Sequence, residues 1–400
     1  ARAWKELLMV VAGVLLLVDI TRRHAWKSLL RDRFVILAIM LIALHFVLAA
    51  IFRLPLSATI AGLMIDLRYI VYALFVYIFI RAYPRYRDSF WRVGILGALI
   101  VIGFAILQLF LPSNFLAPIG YSHSTIEPSL TVDKNPNYVR LQSFLRGPNP
   151  LGIYALMSAV MVASWWLSMR KKIKQARDVR WQAPLLIGSL IALWGSYSRS
   201  AWIGFVVAIA LLAWQWHALV PRKIKLIAAG ASVVVITTSI VLLQGTSCWH
   251  NVVIHDDPTT GAHTTSNQGH AESLATGFSR LVQQPFGAGV GSTGSASLHL
   301  DAPIVIENQF LFVAHEIGWL GLALWCWFVA EILRRLWRDR TNWQAMGLFA
   351  SGVGIVVAGL FLPVLTDDTT SIVWFGLAAA WIAKGGNSGT TTHKKAKRTA

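Results

Sequence analysis

Apolar runs about as long as a bilayer is thick recur from one end of this chain to the other, and no other feature restricts its fold as much. Eleven stand out, at 4–20, 34–52, 58–80, 93–112, 151–169, 183–197, 201–220, 224–244, 306–331, 343–365 and 371–383. A helix of about 20 apolar residues crosses the ~30 Å hydrocarbon layer. Several of the runs lack strand-like alternation, and lipid leaves the backbone only helices or closed barrels. The expected fold class is an all-α polytopic membrane protein. Composition excludes an ordinary soluble domain, because 56% of the 400 residues are hydrophobic and only 14% charged. No cleavable signal peptide pattern is visible. The first span is short and starts without Met, which leaves room for an earlier segment. Cys248 falls in a long loop and Cys326 inside a span, so neither a disulfide framework nor a Cys-based metal site is expected.

The net charge of +18 would suggest nucleic acid in a soluble protein. Here the positive-inside rule accounts for most of it. Alternate connections, at 21–33, 81–92, 170–182, 221–225, 333–340 and from Lys384 onward, hold 27 of the 36 Lys and Arg, which assigns them to the cytoplasm. Two of the other nine, Arg2 and Lys5, belong to the N-terminus. The remaining seven are Arg53, Arg68, Lys134, Arg140, Arg146, Arg199 and Arg280, on the external side or inside the membrane. Six of these are Arg. The orientation rule does not prefer Arg over Lys, whereas phosphate oxygens and carboxylates fit the planar guanidinium fork. Arg199 is the sharpest case. It sits in GSYSRSAW, residues 195–202, between two apolar runs. The topology places it in a tight external turn, where it either snorkels to the interface or joins other arginines around an anion.

The chain divides into transmembrane helices over 1–244 with an external loop at 113–150, a large external loop at 245–305, C-terminal helices over 306–383, and a basic tail at 384–400. In the first loop, Arg140 and Arg146 precede GPNP, whose prolines form a rigid turn able to aim Arg146 inward. The second loop contains His250, His255, Asp256, Asp257 and His263 at irregular spacing, and no metal is assigned to them. Beyond Gly269, Leu274, Phe278, Leu281 and Val282 repeat as on an amphipathic helix that carries Arg280 and His270 and stops at Pro285. Gly289, Gly291 and Gly294 satisfy G-x-G-x-x-G, but no strand precedes them, so a hinge or a close approach of backbone to substrate is expected instead of a dinucleotide site. Glu307, Leu311, His315 and Gly318 then share one helical face. Glu307 sits at the external helix start, and His315 and Glu316 lie deeper. Gly318 and Gly321 allow close helix packing. Asp66 and Arg68 are further intramembrane charges. Spaced i, i+2, they need separate partners.

Taken in order, these features resemble the bacterial O-antigen ligases within the O-antigen ligase and polymerase superfamily. The resemblance rests on many spans, the Arg-bearing SRSAW turn, the large external loop after it, RLVQQPFGAGVG, and Glu307-Asn308 followed by nine residues and Gly318-Trp-Leu-Gly321. Glu307 stands where the family usually has His. The resemblance implies about a dozen spans and a Gram-negative inner-membrane enzyme with its active site facing the periplasm. It implies an undecaprenyl-pyrophosphate-linked glycan as donor and a sugar hydroxyl of lipid A-core as acceptor. It implies no cofactor, no metal and no nucleic acid. On it, Arg199 and Arg280 are assigned to the pyrophosphate first, then Arg146 and Arg140, then Arg68. Glu307 is the candidate base, with His270 and His315 as rivals and Asn308 beside it, and direct displacement would invert the anomeric centre. The alternatives are an O-antigen polymerase using the same donor, a transporter of lipid-linked sugars, and a purely structural scaffold that would leave the seven cations unexplained.

Overall fold

The computed structural model describes residues 4–122, 125–169, 181–217, 237–238, 241–254, 266–366 and 370–383. Helix α1 (Trp4–Arg22) and the short α2 (Trp26–Leu29) lead into α3 (Arg33–Phe52), α4 (Leu56–Ala82) and α5 (Arg87–Gln108). They are followed by α6 (Pro148–Met169), α7 (Gln182–Gly195), α8 (Arg199–Gln215), α9 (Ser266–Gln283), α10 (Gln309–Arg338), α11 (Trp343–Ala358) and α12 (Thr370–Ile382). The segments 33–52, 56–82, 84–108, 148–168 and 309–338 are long and apolar enough to cross a membrane, and α7, α8, α11 and α12 are shorter apolar helices. Ten of the eleven apolar runs thus form helices, and the fold is an all-α polytopic membrane protein. The run at 224–244 lies largely outside the described residues, as do His255, Asp256, Asp257, His263 and the basic tail.

Helix starts follow local chemistry. Asp32 accepts from the Phe34 N–H at 2.9 Å and caps α3, and Asn342 caps α11 through the Gln344 N–H at 2.8 Å. The GPNP segment begins α6 itself, with Pro148 as its first residue. Proline is tolerated there because the first-turn N–H groups have no partner within the helix.

Aromatic side chains hold the core. Phe34 contacts Tyr77 and Phe328, and Phe375 contacts Phe328 and Tyr69, with centroids 4.8–6.1 Å apart, so α3, α4, α10 and α12 share one column. At one end of the bundle Asp32 accepts from Tyr77 (2.7 Å) and Arg335 (2.8 Å), and Glu331 accepts from Arg334 and Arg335. These arginines lie in, or next to, the basic connections assigned to the cytoplasm.

Three elements depart from the sequence reading. The external loop 113–150 contains an antiparallel hairpin, β1 (Leu130–Val132) and β2 (Asn135–Arg140), which pairs Leu130 with Arg140. Its turn residues Asp133 and Lys134 both have positive φ, as a tight hairpin turn requires. Helix α11 stops at Ala358 instead of running to 365. The chain from Gly359 to Thr366 packs against the start of α10, where Gln309 N–H donates to the Gly359 carbonyl (2.7 Å) and Leu365 N–H to Gln309 Oε1 (2.8 Å).

The third departure is a break in α10 at Gly318, with φ 69 and ψ −173. The glycine-rich segment fills it. Ala288 and Gly289 N–H donate to the carbonyls of His315 (2.6 Å) and Glu316 (3.2 Å), and Trp319 N–H donates to the Pro285 carbonyl (2.9 Å). Glu316 Oε1 accepts from the Gly291 N–H at 3.1 Å. A Cβ on Gly291 would lie 2.2 Å from the Ala58 carbonyl oxygen. The G-x-G-x-x-G segment therefore approaches helix backbone closely and satisfies the broken helix. Non-helical backbone at this depth is tolerated only where protein satisfies it.

Candidate functional site

The GSYSRSAW turn joins α7 to α8 at the bundle end opposite Arg335. Tyr197 takes a left-handed φ of 48 and reverses the chain in three residues. Trp202 fastens the turn, donating to the Leu193 carbonyl at 2.9 Å while its ring stacks on Trp194 with centroids 4.9 Å apart. Leu141 N–H donates to the Gly195 carbonyl at 2.8 Å and so fixes the hairpin to the same turn.

Two arginines meet there. Arg140, the last residue of β2, donates to the Ser196 carbonyl and to Asn149 Oδ1, both at 2.8 Å. Arg199, the first residue of α8, donates to the Ile254 carbonyl (2.9 Å) and to Asn267 Oδ1 (2.8 Å). Both line a cavity of about 420 Å³, together with His270 on α9. Leu274, Ile203, Phe361 and Leu362 supply its apolar wall. Burial pushes the Arg140 guanidinium down to about 10, with the nearby Arg199 charge acting in the same direction and Asp133 opposing it. The like charge of Arg199 disfavours the charged form of Arg140.

His270 Nδ1 lies 2.5 Å from Glu307 Oε2, with both side chains about one-third exposed. Glu307 N–H donates to Ser273 Oγ at 2.8 Å, which ties the segment leading into α10 to α9. Helix α10 begins after Glu307. Its cap is Asn308, whose Oδ1 accepts from the Phe310 and Leu311 N–H groups and whose Nδ2 donates to the Leu360 carbonyl. Glu307 thus faces His270 from a loop and does not cap the helix.

The other candidates lie elsewhere. Arg146 is exposed and donates to Ser295. Arg280 is in the last turn of α9, ten residues beyond His270, or about 15 Å along the axis, and it interacts electrostatically with the buried His315. Arg68 donates to the Thr366 carbonyl at 3.2 Å in the bundle interior. The Asp66 and Glu316 carboxyls meet in the same interior beside Tyr69 and Trp325. So Asp66 and Arg68 do have separate partners. Among the described residues no group of three or more His, Cys, Asp or Glu side chains could hold a metal ion.

Asn149 and Asn267, which orient the two cavity arginines, carried no signal in the sequence beyond being polar residues in long loops. The stripe of α9 behaves as its periodicity predicts. Leu274, Phe278 and Val282 are exposed on one side, and Gly277 packs against Leu311 and Ile306 on the other.

No curated protein matches the chain. Residues 184–326 match the family described as O-antigen ligase. That interval starts in α7 and contains the Arg199 turn, α8, α9, the glycine-rich segment and the broken first half of α10. The match falls on the elements that carry Arg199, His270, Glu307 and the helix break, and over these residues the chain is similar to the O-antigen ligase family.

Proposed function

We propose that the protein transfers an O-antigen polysaccharide from undecaprenyl pyrophosphate to a sugar hydroxyl of lipid A-core, at the periplasmic face of the Gram-negative inner membrane. The observation that carries this reading is the cavity shared by Arg140, Arg199 and His270. Breaking the sugar–diphosphate bond places negative charge on the leaving group. Preorganised cations aimed at developing charge are a large catalytic term, and Arg199 and Arg140 supply them without a metal.

His270 and Glu307 supply the base. With Nδ1–H held by the Glu307 carboxylate, the Nε2 lone pair accepts the proton of the acceptor hydroxyl. The acceptor oxygen forms the new bond to the anomeric carbon as the carbon–oxygen bond to the diphosphate breaks. Undecaprenyl pyrophosphate leaves, the proton stays on the imidazole until water removes it, and the anomeric configuration inverts. Leu274, Phe361 and Leu362 give the cavity an apolar side suited to the start of a lipid chain. Arg280 and Arg146 extend the cationic surface beyond it.

The test is a reconstitution with purified protein, undecaprenyl-pyrophosphate glycan and rough lipopolysaccharide, in the presence of chelator, scored by gel shift. Wild type is expected to ligate and Arg199→Ala to lose ligation. Chain growth on a second lipid-linked glycan, with lipid A-core ignored, would make the protein a polymerase. Movement of unmodified donor across liposomes would make it a transporter.

A further inference from the structure

At the opposite end of the bundle, α5, α6, α7, α11 and α12 enclose a second cavity of about 140 Å³. Its mouth is set by tryptophans. Trp91 is one turn into α5, Trp343 is the first residue of α11, Trp181 immediately precedes α7, and Trp165 is in the last turns of α6. All four adjoin basic connections, at the level where a bilayer meets water and where Trp is enriched. The floor, formed by Ala98 and Met157 among others, is apolar and reaches Tyr154, about 16 Å from Trp165 along α6.

Among the described residues, three polar groups in this lining have no hydrogen-bond partner: the Trp91 indole N–H, the Ser158 hydroxyl and Gln182 Oε1. Their residues are only 7%, 5% and 5% exposed. A buried polar atom without a partner is costly, and native structures leave few of them. Here three surround one cavity. Trp91 and Gln182 lie near the mouth, and Ser158 one helical turn beyond Tyr154. The almost wholly apolar floor favours hydrocarbon over water, which needs several polar partners to stay.

We propose that this cavity is a second lipid site that takes part of one acyl chain of a bilayer glycerophospholipid. The chain fills the floor, the ester carbonyl accepts from Trp91 Nε1–H, and a headgroup O–H or N–H donates to Gln182 Oε1. The site is separate from the Arg199 cavity and does not depend on the reaction assigned there.

The test uses the full chain in nanodiscs containing phosphatidylethanolamine with a photoactivatable diazirine in one acyl chain. Crosslinked peptides should centre on Met157 and Met161. Ala98→Phe, which fills the floor, should remove that label, and Trp91→Phe, which deletes one hydrogen bond, should lower it about fivefold. Should Ala98→Phe fail to fold, Trp91→Phe decides alone. Label confined to the outward-facing Val93, Leu96 and Ile100, or label at Met157 indifferent to the substitutions, would overturn the proposal. So would label from a diazirine fatty acid with none from the phospholipid.

Discussion

Arg199 could be picked out from the sequence because an arginine between two apolar runs needs a partner. The sequence ranks Arg140 below Arg280 as its companion, since Arg140 and Arg199 are far apart in the chain and are joined by a hairpin the periodicity does not reveal. We expect Arg199→Ala to abolish ligation while the protein still reaches the membrane. Arg199→Lys should also be poor, because a point charge cannot replace a fork that donates to two oxygens at once. Burial pushes the Arg140 pKa down to about 10. Donor affinity should therefore hold at neutral pH and fall as pH rises past about 10, as read by donor KM against pH. Glu307→Gln keeps an acceptor for His270 but removes the charge. It should lower kcat by about 10²-fold or more with little change in donor KM, since a base contributes ~10²–10⁴. His270→Ala combined with Glu307→Gln should be scarcely worse than His270→Ala, as residues acting as one unit are non-additive. Equal and additive losses would refute the pairing.

The largest gap between sequence and structure at the scale of elements is α10. An unbroken helical face through Glu307, Leu311, His315 and Gly318 was a sound expectation from spacing. Yet Gly318 adopts a conformation open almost only to glycine, and the FGAGVG segment bonds to the carbonyls freed by the break. A Cβ on Gly318 would fall 2.5 Å from the Pro285 carbonyl oxygen. Gly318→Ala should cost about 3 kcal/mol from strain and overlap together, seen as a lower Tm of the purified protein. Gly269→Ala, in a helix where an added Cβ meets nothing within 4 Å, is the control that should leave Tm unchanged or raise it. Asn308 was legible as one half of a motif. Its cap on α10 and its bond to Leu360 explain the residue type without placing it in the cavity.

For the whole molecule, the two ends differ in kind. One gathers the Arg140–Arg199 cavity, and the other the Asp32–Arg335–Glu331 network. Burial raises the Asp32 pKa, but hydrogen bonds from Arg335 and Tyr77 outweigh it and hold the carboxyl below its ordinary value. A depressed carboxyl pKa stabilises the fold fully above the unfolded value of about 3.9 and loses that contribution as pH falls through the folded value. Asp32→Asn should remove about 3 kcal/mol at neutral pH, because it leaves Arg335 without that partner, and should flatten the acid limb of Tm against pH. Orientation is open to labelling in cells. A cysteine at the exposed Asp301 should react with a membrane-impermeant maleimide from outside, and one at the exposed Arg340 only after the membrane is opened. By itself the sequence determined which segments are apolar helices, which connections are basic, and that arginines recur outside those connections. Those properties depend on composition and short-range period, and the free energy of transfer into lipid acts on each segment separately. Only the tertiary structure decided that Arg140 and not Arg280 shares a wall with Arg199, that Glu307 faces His270, and that α10 is broken. Each of these depends on backbone hydrogen bonds between segments distant in the chain, and local periodicity does not record them.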